Sequence, residues 1–233
     1  MPVGILVNVT AVVLGGFLGS IFGDSLSEEF KSTLTKVFGF CALSMGITSV
    51  VLMKNMPAVV LSVILGTILG LLLNLDGLIR RGTEKALKAI HLGGDIDEDM
   101  MLTAIVLFCA SGTGIYGSMV SGISGDHSIL LAKSVLDFFT AMIFACQLKK
   151  AVSLIGVPQL VIMLLLFFSA KLIYPLTTEV MINDFKAAGG IILLATGLSI
   201  LKLIKIPLAN LIPGMLLAMP ISAFWVSVIV PML

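Results

Sequence analysis

Charge is scarce in this 233-residue chain. Acidic and basic residues make up 12% of it, against a hydrophobic fraction of 58% and a mean hydropathy of +1.17, whereas soluble domains carry roughly 25% charged residues. That excludes a soluble globular domain. A net charge of +1, on a chain that must sit in lipid, also excludes a nucleic-acid binder. Cysteine is nearly absent: Cys41, Cys109 and Cys146 stand alone in apolar runs without CxxC spacing, and read as small hydrophobes packed among helices. Both histidines fall in loops, and no Ser-His-Asp set, HExxH, P-loop or dinucleotide fingerprint appears. Nothing argues for an intramembrane enzyme, and no cofactor is implied. There is neither an arginine cluster for a large anion nor a carboxylate-rich cage for a divalent metal, so small ions, protons or a small polar solute remain as cargo.

What is present is apolar sequence in lengths suited to a bilayer, whose core of about 30 Å takes about 20 residues of helix. Eight spans are expected, at residues 3–23, 33–53, 57–75, 101–123, 128–147, 152–174, 187–204 and 207–230. The first lacks a basic leader and a clear cleavage site and is read as retained. The long connection, 76–99, places Leu78, Ile79, Leu87 and Ile90 among Arg80, Arg81, Lys85 and Lys88, which suits an amphipathic helix on the membrane surface. Its acidic tail, Asp95, Asp97, Glu98 and Asp99, lacks calcium-loop spacing and reads as a solvated cap. With eight spans, Lys31, Lys36, Arg80, Arg81, Lys85, Lys88, Lys149, Lys150, Lys202 and Lys205 share one side. The positive-inside rule then places the 76–99 loop in the cytoplasm and both termini outside.

An internal repeat is the next signal. Residues 38–54 align with 189–205 at an offset of 151: Gly39 with Gly190, Gly46 with Gly197, Thr48 with Ser199, Lys54 with Lys205. After one slipped residue Pro57 matches Pro207, and the same offset carried backwards pairs Asn8 with Gln159. Spans 1–3 thus match spans 6–8, and because five spans separate the mates, the units face opposite ways. The expected fold class is an all-α polytopic membrane protein of about eight transmembrane helices. Its expected organisation is repeat 1 over 1–75, a cytoplasmic amphipathic loop over 76–100, a two-helix insert over 101–147 and inverted repeat 2 over 148–233. Inverted repeats recur in secondary transporters, which bind cargo near the membrane midplane.

The candidate chemistry lies in the insert. Span 4 carries Ser111-Gly112-Thr113-Gly114 near its centre, followed by Gly117, Ser118, Ser121 and Gly122. Glycine costs about 1 kcal/mol relative to alanine inside a helix, so a broken segment is expected; unwound backbone survives in a membrane only where it is buried in protein or lines a cavity. Close helix packing is the alternative for these small residues, as it is for Gly15, Gly19, Gly66 and Gly70. Lys133 and Asp137 stand four apart inside span 5, where an isolated charge costs at least roughly 2.5 to 3.5 kcal/mol. Two readings stay open: a structural pair with Lys133 snorkelling towards the interface, and a functional pair whose proton or Na⁺ occupancy changes. Asn8, Thr48, Gln159, Ser199 and Asn210 are further polar candidates, and no metal-ligand set is defined. Asp126 and His127, at the loop end, read as solvated.

The opening MPVGILVN, the segment MGITSVVLMKNMPAVVLSVILGTILG and the ending GLSILKLIKIPLANLIPGMLLA belong to one pattern. So does the set Gly117, Ser118, Gly125, Asp126, Lys133, Ser134 and Asp137. Together they resemble the YqgA/YdfK family of bacterial multi-pass inner-membrane proteins. The resemblance implies a prokaryotic plasma membrane and a transport role, and supplies no catalytic residues. Relatives commonly show Asp-Gly where this chain has Ser121-Gly122, and a glycine where it has Phe138. The functional expectation is a secondary transporter or ion-coupled permease for a small ion or polar solute, coupled to Na⁺ or H⁺, in contact with lipid and assembled as a homo-oligomer through its glycine faces. A membrane scaffold or sensor, and an ion channel, are the alternatives.

Overall fold

The computed structural model describes residues 1–22, 27–79, 81, 85, 98–109 and 111–232. The helices are α1 (Val3–Phe22), α2 (Glu28–Val50), α3 (Met56–Leu72), α4 (Glu98–Cys109), α5 (Gly112–Ser124), α6 (Ser128–Leu148), the single turn α7 (Ala151–Leu154), α8 (Gly156–Ile173), α9 (Glu179–Ile200) and α10 (Ile212–Phe224). Among the described residues six segments are long and apolar enough to cross a membrane, and α3 is a shorter apolar helix. The amphipathic surface helix expected over 76–99 lies largely outside the described residues.

The departures from the expected spans that matter most for the site and the core are at spans 4 and 7; span 2 also starts earlier, at Glu28. Span 4 is two helices, α4 and α5, parted at Ser111, which is extended at φ −68°, ψ 142°. Its side chain caps α5 by accepting from the Gly114 amide at 3.2 Å. Span 7 begins at Glu179, eight residues before the expected 187, because the Thr178 hydroxyl accepts from the Met181 amide and caps α9 there. Hydropathy misses that start, since Glu179, Asp184 and Lys186 all fall in the first turns.

The chain divides into two compact units, residues 1–35 with 77–172 and residues 36–76 with 173–233. In the first, α1 runs parallel to α6: the Gly15 Cα faces the Phe138 carbonyl and, one turn on, Gly19 faces the carbonyl of Met142. On its other side α1 runs antiparallel to α7 and α8, with Gly16 against Ser153 and Gly156 against Val13. Two apolar clusters form the core. One gathers Val12, Phe108, Cys109, Ala141, Ala145 and Ile155; the other gathers Ile5, Leu130, Met163 and Phe167.

In the second unit, α2 and α9 cross antiparallel through a reciprocal set of glycines. Gly39 meets Leu201 and the Gly197 carbonyl, while Gly190 meets Val50 and the Gly46 carbonyl; Gly46 meets Leu194, while Gly197 meets Leu43. Adding or subtracting 151 turns each contact into its mate. Helices α3 and α10 touch backbone to backbone at Gly66 and Gly214, and Gly70 lies on the Asn210 carbonyl. The glycine faces of Gly15, Gly19, Gly66 and Gly70 are therefore occupied inside the chain and are not free for contacts between copies.

A side chain at Gly66 has nowhere to go, whereas Leu65 is 43% exposed on the same helix. Gly66→Val is expected to destabilise by at least the ~1–3 kcal/mol of overpacking, and Leu65→Ala by under about 1 kcal/mol. Thermal midpoints of the detergent-solubilised variants check the contrast.

Candidate functional site

The four-residue spacing of Lys133 and Asp137 on α6 brings an ammonium and a carboxylate onto one helix face. That face looks into the first unit: Lys133 is 3% exposed and Asp137 6%. Lys133 Nζ donates to both carboxylate oxygens, at 2.8 Å to Oδ1 and 2.6 Å to Oδ2. Asn8 Nδ2, from α1, donates to Asp137 Oδ2 at 2.9 Å. Gln159 Nε2, from α8, donates to Asn8 Oδ1 at 2.8 Å and reaches the Phe108 carbonyl at 3.4 Å. Three helices thus contribute to one linear chain of four side chains, and both amides are fully buried.

The carboxylate sets the direction of this chain. An ionised carboxylate only accepts, so Asn8 must present its NH₂ to Asp137 and its oxygen to Gln159, which must in turn present its own NH₂. Gln159 Oε1 is left over, buried and with no donor among the described residues. The Ser118 hydroxyl, fully buried on α5, is likewise unpartnered among them. An unmade buried hydrogen bond costs about 1–3 kcal/mol.

Apolar layers close the chain on both sides. On α1 the order is Ile5, Asn8, Val12; on α6 it is Leu130, Lys133, Asp137, Ala141; on α7 and α8 it is Ile155, Gln159, Met163. In each helix the polar residues fall between a member of one apolar cluster and a member of the other. The break in span 4 serves the same place. A Cβ on Gly114 would stand 3.2 Å from Lys133 Cε and 3.1 Å from the Ser111 hydroxyl. The SGTG stretch thus turns the chain and leaves room for the lysine stem.

The remaining candidates are distributed. Ser111 caps α5 and Thr113 is buried one position inside it. Thr48 is exposed and donates to its own helix at the Met45 carbonyl, and Ser199 is half-buried on α9; both belong to the second unit. Asn210, also there, accepts from the Asp76 amide at 3.0 Å. His127 is half-buried rather than solvated, with Nδ1 2.7 Å from the Ser121 hydroxyl; Asp126 is exposed and accepts from the Ser128 amide. A groove of about 670 Å³ lies between α1 and α6, lined by Leu6, Leu14, Val135 and Phe138 among others, on the exposed face away from the ion pair. Its surface is mostly apolar, with Thr10 and Ser134 as its polar members.

One buried carboxylate escaped sequence reading. Asp184 accepts from the Lys54 and Asn55 amides at 2.8 and 3.0 Å, from Asn55 Nδ2 at 2.9 Å and from the Ser222 hydroxyl at 2.6 Å. From α9 it holds the turn that leads into α3 and ties α10 to it. With four donors on two oxygens it is saturated, in contrast to the first unit's chain. Among the described residues no group of three His, Cys, Asp or Glu could hold a metal.

With helices and no strands among the described residues, and several of those helices apolar and long enough to cross a membrane, the chain is a polytopic membrane protein. Its residues 3–223 match the family described as Protein of unknown function (DUF554), and the chain belongs to that family. It is 46% identical over 232 residues to the "Uncharacterized protein YqgA" of Escherichia coli (strain K12), covering 97% of this chain and 99% of that one. It is 25% identical over 220 residues to the "Uncharacterized membrane protein YdfK" of Bacillus subtilis (strain 168), covering 92% and 93%. No solved structure matches the chain.

Removing one partner of a buried ion pair strands the other, at a cost of about 3–5 kcal/mol, whereas replacing both with apolar residues of similar volume is often neutral. Asp137→Asn should therefore lower the thermal midpoint more than the double variant Lys133→Met/Asp137→Leu. Asp184→Asn should destabilise as well, by turning one acceptor oxygen into a donor facing donors, and Ser222→Ala by less, since it removes one bond of four.

Proposed function

We propose that the chain is a secondary transporter for a small ion or polar solute, coupled to an ion, in the plasma membrane of a bacterium. The observation that carries the reading is the buried chain from Lys133 through Asp137 and Asn8 to Gln159, closed above and below by apolar layers and ending in unused hydrogen-bonding capacity. A structural ion pair needs no such continuation: Asp184 shows what a saturated structural carboxylate looks like in the same protein. An open channel would need continuous polar lining, and the layers around Ile5 and Val12 interrupt it.

The inverted-repeat reading fits this proposal. Asn8 and Gln159, mates at the offset of 151, bond to one another, and the reciprocal glycine contacts of α2 and α9 are those expected when mates pack across a pseudo-two-fold axis. Two such units of similar energy are what alternating access uses. Charge and acceptor groups come from the insert, so the repeats supply the frame and the amides.

Purified protein in liposomes loaded with pH- or Na⁺-sensitive dye, challenged with imposed gradients and a panel of small polar solutes, tests the reading. Saturable, gradient-driven flux is expected, without single-channel current, and Asp137→Asn should reduce it to the level of empty liposomes. Folded protein that moves no ion or solute under either gradient defeats the proposal, and Asp137→Asn with full flux removes the carboxylate from it.

A further inference from the structure

Resting on the transport reading, we propose that the coupling ion is the proton, taken up at Asp137, and that the Asn8/Gln159 amide chain reports its presence to a solute bearing N–H or O–H donors. The geometry disfavours a metal cation at Asp137. Both carboxylate oxygens already hold the Lys133 ammonium, and Oδ2 also holds Asn8 Nδ2. A Na⁺ ion would meet donors and a fixed positive charge where it needs oxygens. A proton needs only one lone pair.

The titratable groups around Asp137 are few. Lys133 lies on its own helix; Cys109, on α4, is close enough to interact electrostatically with both charges; Tyr116 is the buried phenol of α5. Helices α1 and α8 bring amides only to this level.

The consequence follows from hydrogen-bond inventory. With the carboxylate ionised, Gln159 Oε1 is a buried acceptor without a donor among the described residues, at the end of the chain opposite Asp137. That atom suits a solute's ammonium or hydroxyl. When a hydronium ion delivers a proton to Asp137 Oδ2, an O–H bond forms, water leaves and the carboxyl becomes a donor. With that O–H directed at Asn8, Asn8 turns its oxygen towards Asp137 and its NH₂ towards Gln159, and Gln159 turns its oxygen inward to accept, giving up its contact with the Phe108 carbonyl. Its NH₂ now occupies that end of the chain, where it opposes the solute's donor.

Proton and solute therefore exclude one another although they bind different helices, which is the linkage a proton-for-solute exchanger requires. Protonation also leaves the Lys133 ammonium without its counter-charge between apolar layers. That favours admitting water and opening the closed arrangement.

The experiment has a spectroscopic arm and a transport arm, both on the full chain. In nanodiscs, infrared difference spectra on lowering pH are expected to show a carboxylic-acid carbonyl band that is lost in Asp137→Asn. The side-chain ¹⁵N resonance of Gln159, assigned by its loss in Gln159→Met, is expected to shift with the same midpoint. Asn8→Leu should keep the carbonyl band and lose the Gln159 shift; if that variant does not fold, Asn8→Val serves the same comparison. In liposomes, small amines and polyols are expected to drive proton movement in the opposite direction, lost in Gln159→Met. Flux driven by Na⁺ at constant pH, a missing Asp137 band, or a Gln159 shift that survives loss of Asn8 overturns the inference while leaving transport intact. A coupled band and shift with no flux keeps the proton-reading chain and refutes the transport reading instead.

Discussion

A lysine and an aspartate held between two dry layers govern the first unit. Taken out of water, each charge loses solvation worth several kcal/mol, and their attraction restores it only when geometry is close and the remaining lone pairs are used. The observed contacts meet that condition in part. Lys133 bonds both oxygens and Asn8 adds a third donor, so the carboxylate is well served. The demand is then passed along: the amide that serves the acid needs a donor for its own oxygen, and Gln159, which supplies it, has none for its own. A charge placed in lipid thereby fixes the orientation of side chains on two other helices.

Close backbone approach makes this reach possible. Side chains as short as Asn can bridge helices only if the helix axes come nearer than ordinary side chains allow, and Gly15 and Gly19 on α1 remove the obstruction against α6, as Gly156 does from α8. Gly114 does the same for the stem of Lys133. The second unit uses the same device for a different end. Its glycines bring α2 against α9 and α3 against α10, and Asp184 completes the assembly by holding the turn before α3 and binding Ser222. Small residues are common in membrane helices for this reason, and here the polar groups that they admit decide which contacts also carry chemistry.

Much of this was legible in the residues themselves. A charge pair at i, i+4 in an apolar run, lone amides at matching positions 8 and 159, and the density of glycine around 111–114 each conflict with simple lipid exposure, so each stands out by composition alone. Partnering was less legible. That Asn8 and Gln159 contact one another, and that Asn8 serves Asp137, depends on α1 lying between α6 and α8, an arrangement set by glycine faces whose partners no spacing specifies. Thr48 and Ser199 fit the repeat equally well, yet Thr48 bonds its own helix, because a hydroxyl finds a carbonyl one turn away wherever it sits. Asp184 was hidden for the opposite reason. Three charged residues in the opening turns of α9 depress hydropathy there, so the helix start read as loop, although the carboxylate is fully buried and satisfied by main-chain amides that a sequence does not display.

The layers around the polar chain matter as much as the chain. An exposed ion pair contributes ~0–1 kcal/mol, while a dry one is strongly destabilised when either partner is lost. The strength of the Lys133/Asp137 interaction therefore depends on whether water passes the layer of Ile5, Leu130, Met163 and Phe167 or the layer of Val12, Phe108, Ala141 and Ile155. Opening either one weakens the pair and makes a change in its protonation or partnering cheaper; closing both makes the existing partnering costly to alter. Access and chemistry are in this way one variable, since the same apolar side chains that block the path also set the dielectric in which the carboxylate, the ammonium and the two amides act.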